Sequence, residues 1–244
     1  MWCDASWAIS SVTEILIAGI YLADRPNTAG HLIYEFAGAR RTRVTQRWVA
    51  LAADRPGDCD LPCTVSIRLQ RTPKFLLVND LTADAARFDW ILLVDDDVEL
   101  PPDFIDSFID LAERYDFALC QPARTVDSYI DHPLVMQNPG VKARQTRFVE
   151  IGPVTAIRRD AAQLILPVAA DCGMGWGLDY VWPRVMEDAG LRMGIVDATP
   201  IAHRMRCQVS GYGYDDAARG MSEVLAANRH LTRDQAFQVL DAYV

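Results

Sequence analysis

The sequence predicts an α/β fold with a mostly parallel central sheet flanked by helices, and three observations carry that prediction. Apolar runs too short for ordinary helices recur along the 244 residues, at Ile15–Leu22, Ile91–Val94, Phe117–Gln121 and Leu191–Val196. Amphipathic helical stretches lie between them, the spacing of alternating strand and helix. The run Ile91-Leu-Leu-Val94 lacks period-two alternation, as expected of a strand buried on both faces.

Taken in order, Ile15–Leu22 reads as the first buried strand, and Asp24-Arg-Pro-Asn-Thr28 as the turn at its carboxyl end. Arg25 and Asn27 have the chemistry to contact a phosphate or a base there, and a plain surface loop explains them equally well. Residues 31–39 look helical, 46–51 form a second strand, and 65–69 a short third one after the loop residues 54–62. Thr72-Pro73-Lys74 opens a helix with proline near its first position, its apolar face supplied by Phe75, Leu76, Val78, Leu81, Ala85 and Ala86. Lys74 falls in the first turn, near free backbone N–H groups, where it either helps hold a phosphate or is solvated.

The central strand ends in Asp95-Asp96-Asp97. If the extended conformation persists, side-chain alternation puts Asp95 and Asp97 on one face. Ligands of open α/β sheets bind beyond the carboxyl ends of strands, and hard oxygen ligands for Mg²⁺ or Mn²⁺ account for anions crowded there. An acidic turn before Pro101-Pro102 is the alternative. The following helix turns Phe104, Ile105, Phe108, Ile109, Leu111 and Ala112 inward and Asp103, Asp106 and Asp110 to solvent. Residues 122–147 show little periodicity and read as a long loop. Residues 148–157 read as a bent strand or strand pair, 160–166 as a short helix, and 217–244 as a mostly helical tail. Glu150 sits among apolar neighbours, either contacting a substrate hydroxyl or facing water.

Cys172-Gly-Met-Gly-Trp-Gly-Leu-Asp-Tyr-Val-Trp-Pro183 is the second informative stretch. Alternate glycines, including Gly175 and Gly177, let a backbone approach a ligand, and Trp176 offers a flat platform for a sugar ring. Pro183 is tolerated in a helix's first turn, which puts the helix start at about 180–183 and Asp179 at its N-terminus. Asp179 either caps that helix or, kept ionised by the helix dipole, acts as a general base. His203, after the last predicted strand and beside Arg204 and Arg206, could complete a metal site. The segment Gly211-Tyr-Gly-Tyr214 could fold over a ligand.

Composition bounds the function. Half of the residues are apolar, enough for the core of one large α/β domain or two small ones, of which one domain is favoured. The balance of 24 basic and 33 acidic residues gives a net charge of −9, without a basic stripe interleaved with aromatics, so nucleic acid is not an expected partner. Only two lysines occur, Lys74 and Lys142, which leaves anion clamping mostly to arginine. Six scattered cysteines fit reduced thiols in a cytoplasmic protein. The early apolar run is far shorter than the roughly 20 residues needed to span a bilayer, so no transmembrane segment is expected.

These motifs, in this order, resemble the metal-dependent glycosyltransferases of the GT-A fold: a strand ending in Asp-x-Asp, a glycine-rich acceptor segment with a carboxylate, and a late histidine. More narrowly, Thr72-x-Lys74, Gln121-Pro-Ala, Val149-Glu150, Trp176-Gly-Leu-Asp179 and Gly194-Ile-Val-Asp197 before His203 resemble a group of plant and bacterial glycosyltransferases. The likeness covers about 65–203. Gly175-Trp-Gly-Leu-Asp179 is also similar to the Gly-Trp-Gly-x-Glu-Asp element of inverting galactosyltransferases, with Leu178 in place of the glutamate. The resemblance implies one domain over 1–244, with a donor-binding half at about 12–121, an acceptor half at about 122–206, and a tail. It implies Mn²⁺ or Mg²⁺ held by Asp95, Asp97 and His203. A nucleoside diphosphate sugar would meet Asp96, Lys74, Arg25, Asn27, Arg204 and Arg206. A carbohydrate or other hydroxyl acceptor would meet Trp176, Gly175, Gly177 and Glu150, with Asp179 as base. The apolar run into Asp95-x-Asp97 also fits the nucleophile motif of haloacid-dehalogenase-type phosphatases, and a nucleotide-sugar binding module without catalysis is the third reading.

Overall fold

The computed structural model describes residues 12–54, 57–205 and 213–244. Among the described residues, nine strands form one sheet in the order β3-β2-β1-β4-β7-β5-β8-β6-β9. The first strand, β1 (Glu14–Leu22), leads through α1 (Ala29–Ala37) to β2 (Arg43–Leu51) and β3 (Thr64–Arg68). Next come α2 (Lys74–Leu81), β4 (Trp90–Asp95), α3 (Phe104–Arg114) and β5 (Phe117–Arg124). The second half holds β6 (Ala143–Thr146), β7 (Val154–Arg158), α4 (Arg159–Ile165), α5 (Leu178–Asp188) and β8 (Arg192–Ile201). The chain closes with α6 (Tyr214–Ala227), α7 (Arg233–Ala236) and β9 (Val239–Tyr243).

Strands β1 to β4 pair in parallel, β7 runs antiparallel between β4 and β5, and β5 pairs in parallel with β8. Strand β6 pairs antiparallel with β8 and with β9, so among the described residues four of the eight strand pairings are parallel and four antiparallel. The α/β class is as predicted, the sheet is mixed rather than mostly parallel, and its two faces are read from strand alternation. Ile15 and Ile17 of β1, with Trp90, Leu92 and Val94 of β4, pack against α1 and α3. Leu16 and Ala18, with Ile91 and Leu93, pack under α2, α4 and α5. Every residue from Trp90 to Val94 is at most 2% exposed, which explains a strand without alternation. All six residues assigned to the inner face of α3 are buried.

Several expectations are corrected. Helix α2 stops at Leu81, a 3-10 turn follows at Ala85–Arg87, and Leu76 is 38% exposed rather than part of the apolar face. Asp106 does more than face solvent: its carboxylate accepts bonds from the amides of Arg40, Arg41 and Thr42 and so fastens the α1–β2 connection. Residues 148–153 are not strand, and only Val154–Arg158 pairs with β4 and β5. The predicted tail ends in a strand, β9, antiparallel to β6.

The unpatterned stretch 122–147 is built rather than loose. It contains the end of β5 and all of β6, and a buried ion pair organises the rest. Arg144 donates through Nε and Nη2 to both carboxylate oxygens of Asp197, each at 2.9 Å, and through Nη1 and Nη2 to the carbonyls of Leu134 and Met136. Asp197 also accepts the amide of Asn138 at 2.7 Å. Among the described residues, no helix is long and apolar enough to cross a membrane.

Candidate active site

A cleft of about 820 Å³ opens at the carboxyl ends of β1, β2 and β4, where ligands of open α/β sheets bind. Asp95, Asp96 and Asp97 all line it, but they point to different partners. Strand β4 ends at Asp95 and turns at residues 96–97, so the alternation that would pair Asp95 with Asp97 is lost. Asp95 contacts Lys74 Nζ at 2.6 Å. Asp96 is 3% exposed and accepts the Leu22 amide at 2.6 Å, while its carbonyl accepts from Thr28, which binds the turn after β1 to the end of β4. Asp97 Oδ2 lies 3.2 Å from His203 Nε2.

The three-residue metal set is thereby narrowed. Among the described residues, no group of three His, Cys, Asp or Glu side chains is placed to hold an ion, and Asp95 turns toward Lys74. Asp97 and His203 do converge, and one carboxylate oxygen with one imidazole nitrogen suits Mn²⁺ better than Mg²⁺, which keeps to oxygen ligands, when substrate phosphates and water supply the rest. His203 is 7% exposed, its amide donates to Ser128 Oγ at 2.9 Å, and its carbonyl accepts the Tyr129 amide at 2.8 Å. Its Nδ1 is buried without a hydrogen-bond partner.

Of the other predicted donor contacts, Arg25 lines the cleft and grips Asp54, which Arg71 also holds. Asn27 does not line it: its amide donates to the carbonyls of Leu22 and Arg25 and its oxygen accepts the Ala29 amide, so it shapes the turn into α1. Arg204 is also outside the lining, pairing with Glu99 and Asp127 on an exposed surface. Arg206 and the start of the Gly211–Tyr214 segment lie outside the described residues.

On the acceptor side, α5 begins at Leu178, earlier than Pro183 implied. Pro183 sits inside the helix and withdraws the amide that would bond the Asp179 carbonyl. Asp179 is in the first turn yet does not cap it; its Oδ1 accepts the Ile151 amide instead. The expectation that the helix dipole keeps Asp179 fully ionised at neutral pH is corrected: the carboxyl is only partly ionised there. Burial pushes the carboxyl up to about 7, against the Ile151 hydrogen bond, and the neighbouring Glu150 charge adds to the rise. Glu150, 7% exposed, is likewise pushed upward by burial, with Arg124 opposing at 2.7 Å.

The glycines serve protein packing as much as any ligand. Gly175 has φ +88° and a methyl group there would lie 2.0 Å from the Phe75 ring of α2, while Gly177 abuts Val224 of α6. We expect Gly175→Ala to destabilise the protein by about 2 kcal/mol or more, through strain plus displacement of Phe75. A denaturation midpoint equal to wild type would show that the loop relaxes freely. Trp176 lines the cleft and is partly exposed.

Sequence reading missed Arg124 and His132, both in the cleft wall. Neither has a local pattern to betray it, since a buried arginine at the end of a strand looks like any solvated one. Burial also lowers the His132 pKa.

This architecture is the GT-A fold, seen in solved glycosyltransferases. A structure of GalNAc-T7 with UDP, GalNAc and Mn²⁺ matches 88% of this chain and 48% of its own, at TM-score 0.58 and 9% identity. S. aureus TarS 1–349 in complex with UDP-GlcNAc matches 91% of this chain and 69% of its own, at TM-score 0.53 and 9% identity. A mycobacterial protein matches 88% and 73%, at TM-score 0.51 and 15% identity. The chain spans about half the length of the GalNAc-T7 structure, and at these identities the likeness is one of fold. No protein-family model and no curated protein sequence matches, so the likeness to the plant and bacterial group rests on the motifs alone.

Proposed function

We propose that this chain moves a sugar from a nucleoside diphosphate sugar to an acceptor hydroxyl, with metal dependence and inversion at the anomeric carbon. The observation that carries the reading is one cleft holding both the Asp97–His203 pair and a carboxyl tuned near neutrality, Asp179. Proteins of the same fold solved with UDP and Mn²⁺ or with UDP-GlcNAc support it. Asp97 and His203 would hold the ion. When bound, the cation supplies positive charge against the diphosphate leaving group. Lys74, the first residue of α2, adds a second positive charge by exchanging Asp95 for a phosphate oxygen.

Asp179 takes the acceptor proton, and a pKa of about 7 suits a general base at neutral pH. Trp176, Gly175, Gly177 and Glu150 border the acceptor, in a half running from about 122 to 206. Residues of about 12–121, Arg25 and Asp96 among them, border the donor. The phosphatase reading requires a lysine after Asp95; the lysine at Asp95 is Lys74, which precedes it, and Lys142 does not line the cleft.

The test is a thermal-shift panel of nucleoside diphosphates and nucleotide sugars, with and without Mn²⁺, on wild type and Asp97→Ala. Ligand at 100 times its dissociation constant stabilises the fold by about 2.7 kcal/mol. We expect a metal-dependent shift with one nucleotide in wild type and its loss in Asp97→Ala. No shift with any nucleotide would sink the reading, and binding without transfer or donor hydrolysis would leave a binding module.

A further inference from the structure

Arg124 ends β5 and is 1% exposed, although it borders the cleft. A buried guanidinium requires partners, and these lie on two separate walls. Nη2 contacts Glu150 Oε2 at 2.7 Å. The residue after Glu150 is Ile151, whose amide donates to Asp179 Oδ1. Nη1 donates to the Tyr129 carbonyl at 2.8 Å, and the Tyr129 amide donates to the His203 carbonyl at 2.8 Å. The Tyr129 ring also meets the His203 ring edge-on, with centroids 6.1 Å apart. One side chain therefore stands two links from Asp179 and two links from His203.

We propose that Arg124 is a positioning residue that ties His203 on the metal side of the cleft to Asp179 on the base side. The inference rests on the transferase reading for its purpose but not for its test. Arg124 touches neither reacting group. Its planar fork serves both walls at once, which a lysine cannot do with a single ammonium group. The pair of residues that hold an ion depends on what orients them, and loss of such support typically costs 10- to 100-fold in metal affinity.

Two variants test this. Arg124→Lys keeps the charge and removes the fork. Arg124→Met combined with Glu150→Gln removes both charges of the buried pair, so that the carboxylate left without its guanidinium is only the part-exposed Asp131, 3.6 Å from Arg124 Nη1, and the fold is expected to be kept. The first readout is NMR of the metal-free protein: the His203 ring signals move in both variants, while the Trp48 indole N–H, which donates to Gln46 in β2, does not. The second is Mn²⁺ binding in the presence of UDP, read by electron paramagnetic resonance, which weakens about 10-fold or more in the double variant and less in Arg124→Lys. Unmoved His203 signals in a folded double variant overturn the proposal, whatever the chemistry of the cleft. Wild type that fails to bind Mn²⁺ with any nucleoside diphosphate overturns the transferase reading instead, and the NMR readout still decides the role of Arg124.

Discussion

Replacing Asp179 by asparagine lowers sugar transfer by about 10²-fold or more, the ordinary size of a general-base contribution. Asparagine keeps an oxygen for the Ile151 amide, so the loop at 150–152 stays in place and the change removes only the basic oxygen. The wild-type rate should rise with pH through about 7, because the carboxyl must be ionised to accept the acceptor proton. That limb disappears in the variant. Stability moves the other way. The folded-state pKa of Asp179 is raised above the unfolded value near 4, so the folded protein binds a proton more tightly than the unfolded chain. Its favourable contribution is complete below about pH 4 and is lost as pH rises through about 7. At pH 8 the asparagine variant should therefore be more stable than wild type by about 1–2 kcal/mol, allowing for the solvent that reaches a partly open carboxylate. Initial rates across pH 5–9 and denaturant midpoints at pH 4 and 8 check both parts. Near-wild-type transfer by Asp179→Asn would remove it from the chemistry.

The second large effect lies outside the cleft. Arg144→Met leaves Asp197, which is 0% exposed, as a buried carboxylate without its guanidinium, a loss of about 3–5 kcal/mol. For a domain of this size the melting temperature falls by roughly 6–20 °C. Adding Asp197→Asn, which retains an acceptor for the Asn138 amide, should recover much of the loss. Calorimetry on the two variants checks the sign of that recovery. If the double variant is as unstable as the single one, packing of the arginine stem rather than charge pairing holds residues 134–138 to β6 and β8.

The two predictions mark the boundary of what local pattern can reveal. Asp179 was legible because it stands in an unusual string of glycines and aromatics. Its pKa was not, because the rise comes from burial beside Glu150, 29 residues away in the chain. Residues 134–146 looked like a loop because their order depends on Arg144 reaching Asp197, 53 residues on. Strand β6 has only four residues, and its apolar contribution is small, so no period exposes it. Strand β9 has the same difficulty: its residues are mostly exposed, and pairing with β6 is what makes it a strand.

By itself the sequence determined the α/β class and the central strand, since burial on both faces demands a continuous apolar run and leaves a visible trace. It also determined that carboxylates gather at the end of that strand, the helix after them, and the first strand–turn–helix unit. Only the tertiary structure decided which carboxylate meets which partner. The turn after Asp95 sends that side chain to Lys74 and Asp97 to His203, 106 residues apart in sequence from the latter. It likewise gave Asn27 and Arg204 to loop and surface pairings, and brought Arg124 between Glu150 and Tyr129. The reason is physical: strand and helix periodicity is written in neighbouring residues, whereas desolvation and ion pairing depend on chain segments that meet only after the sheet has assembled.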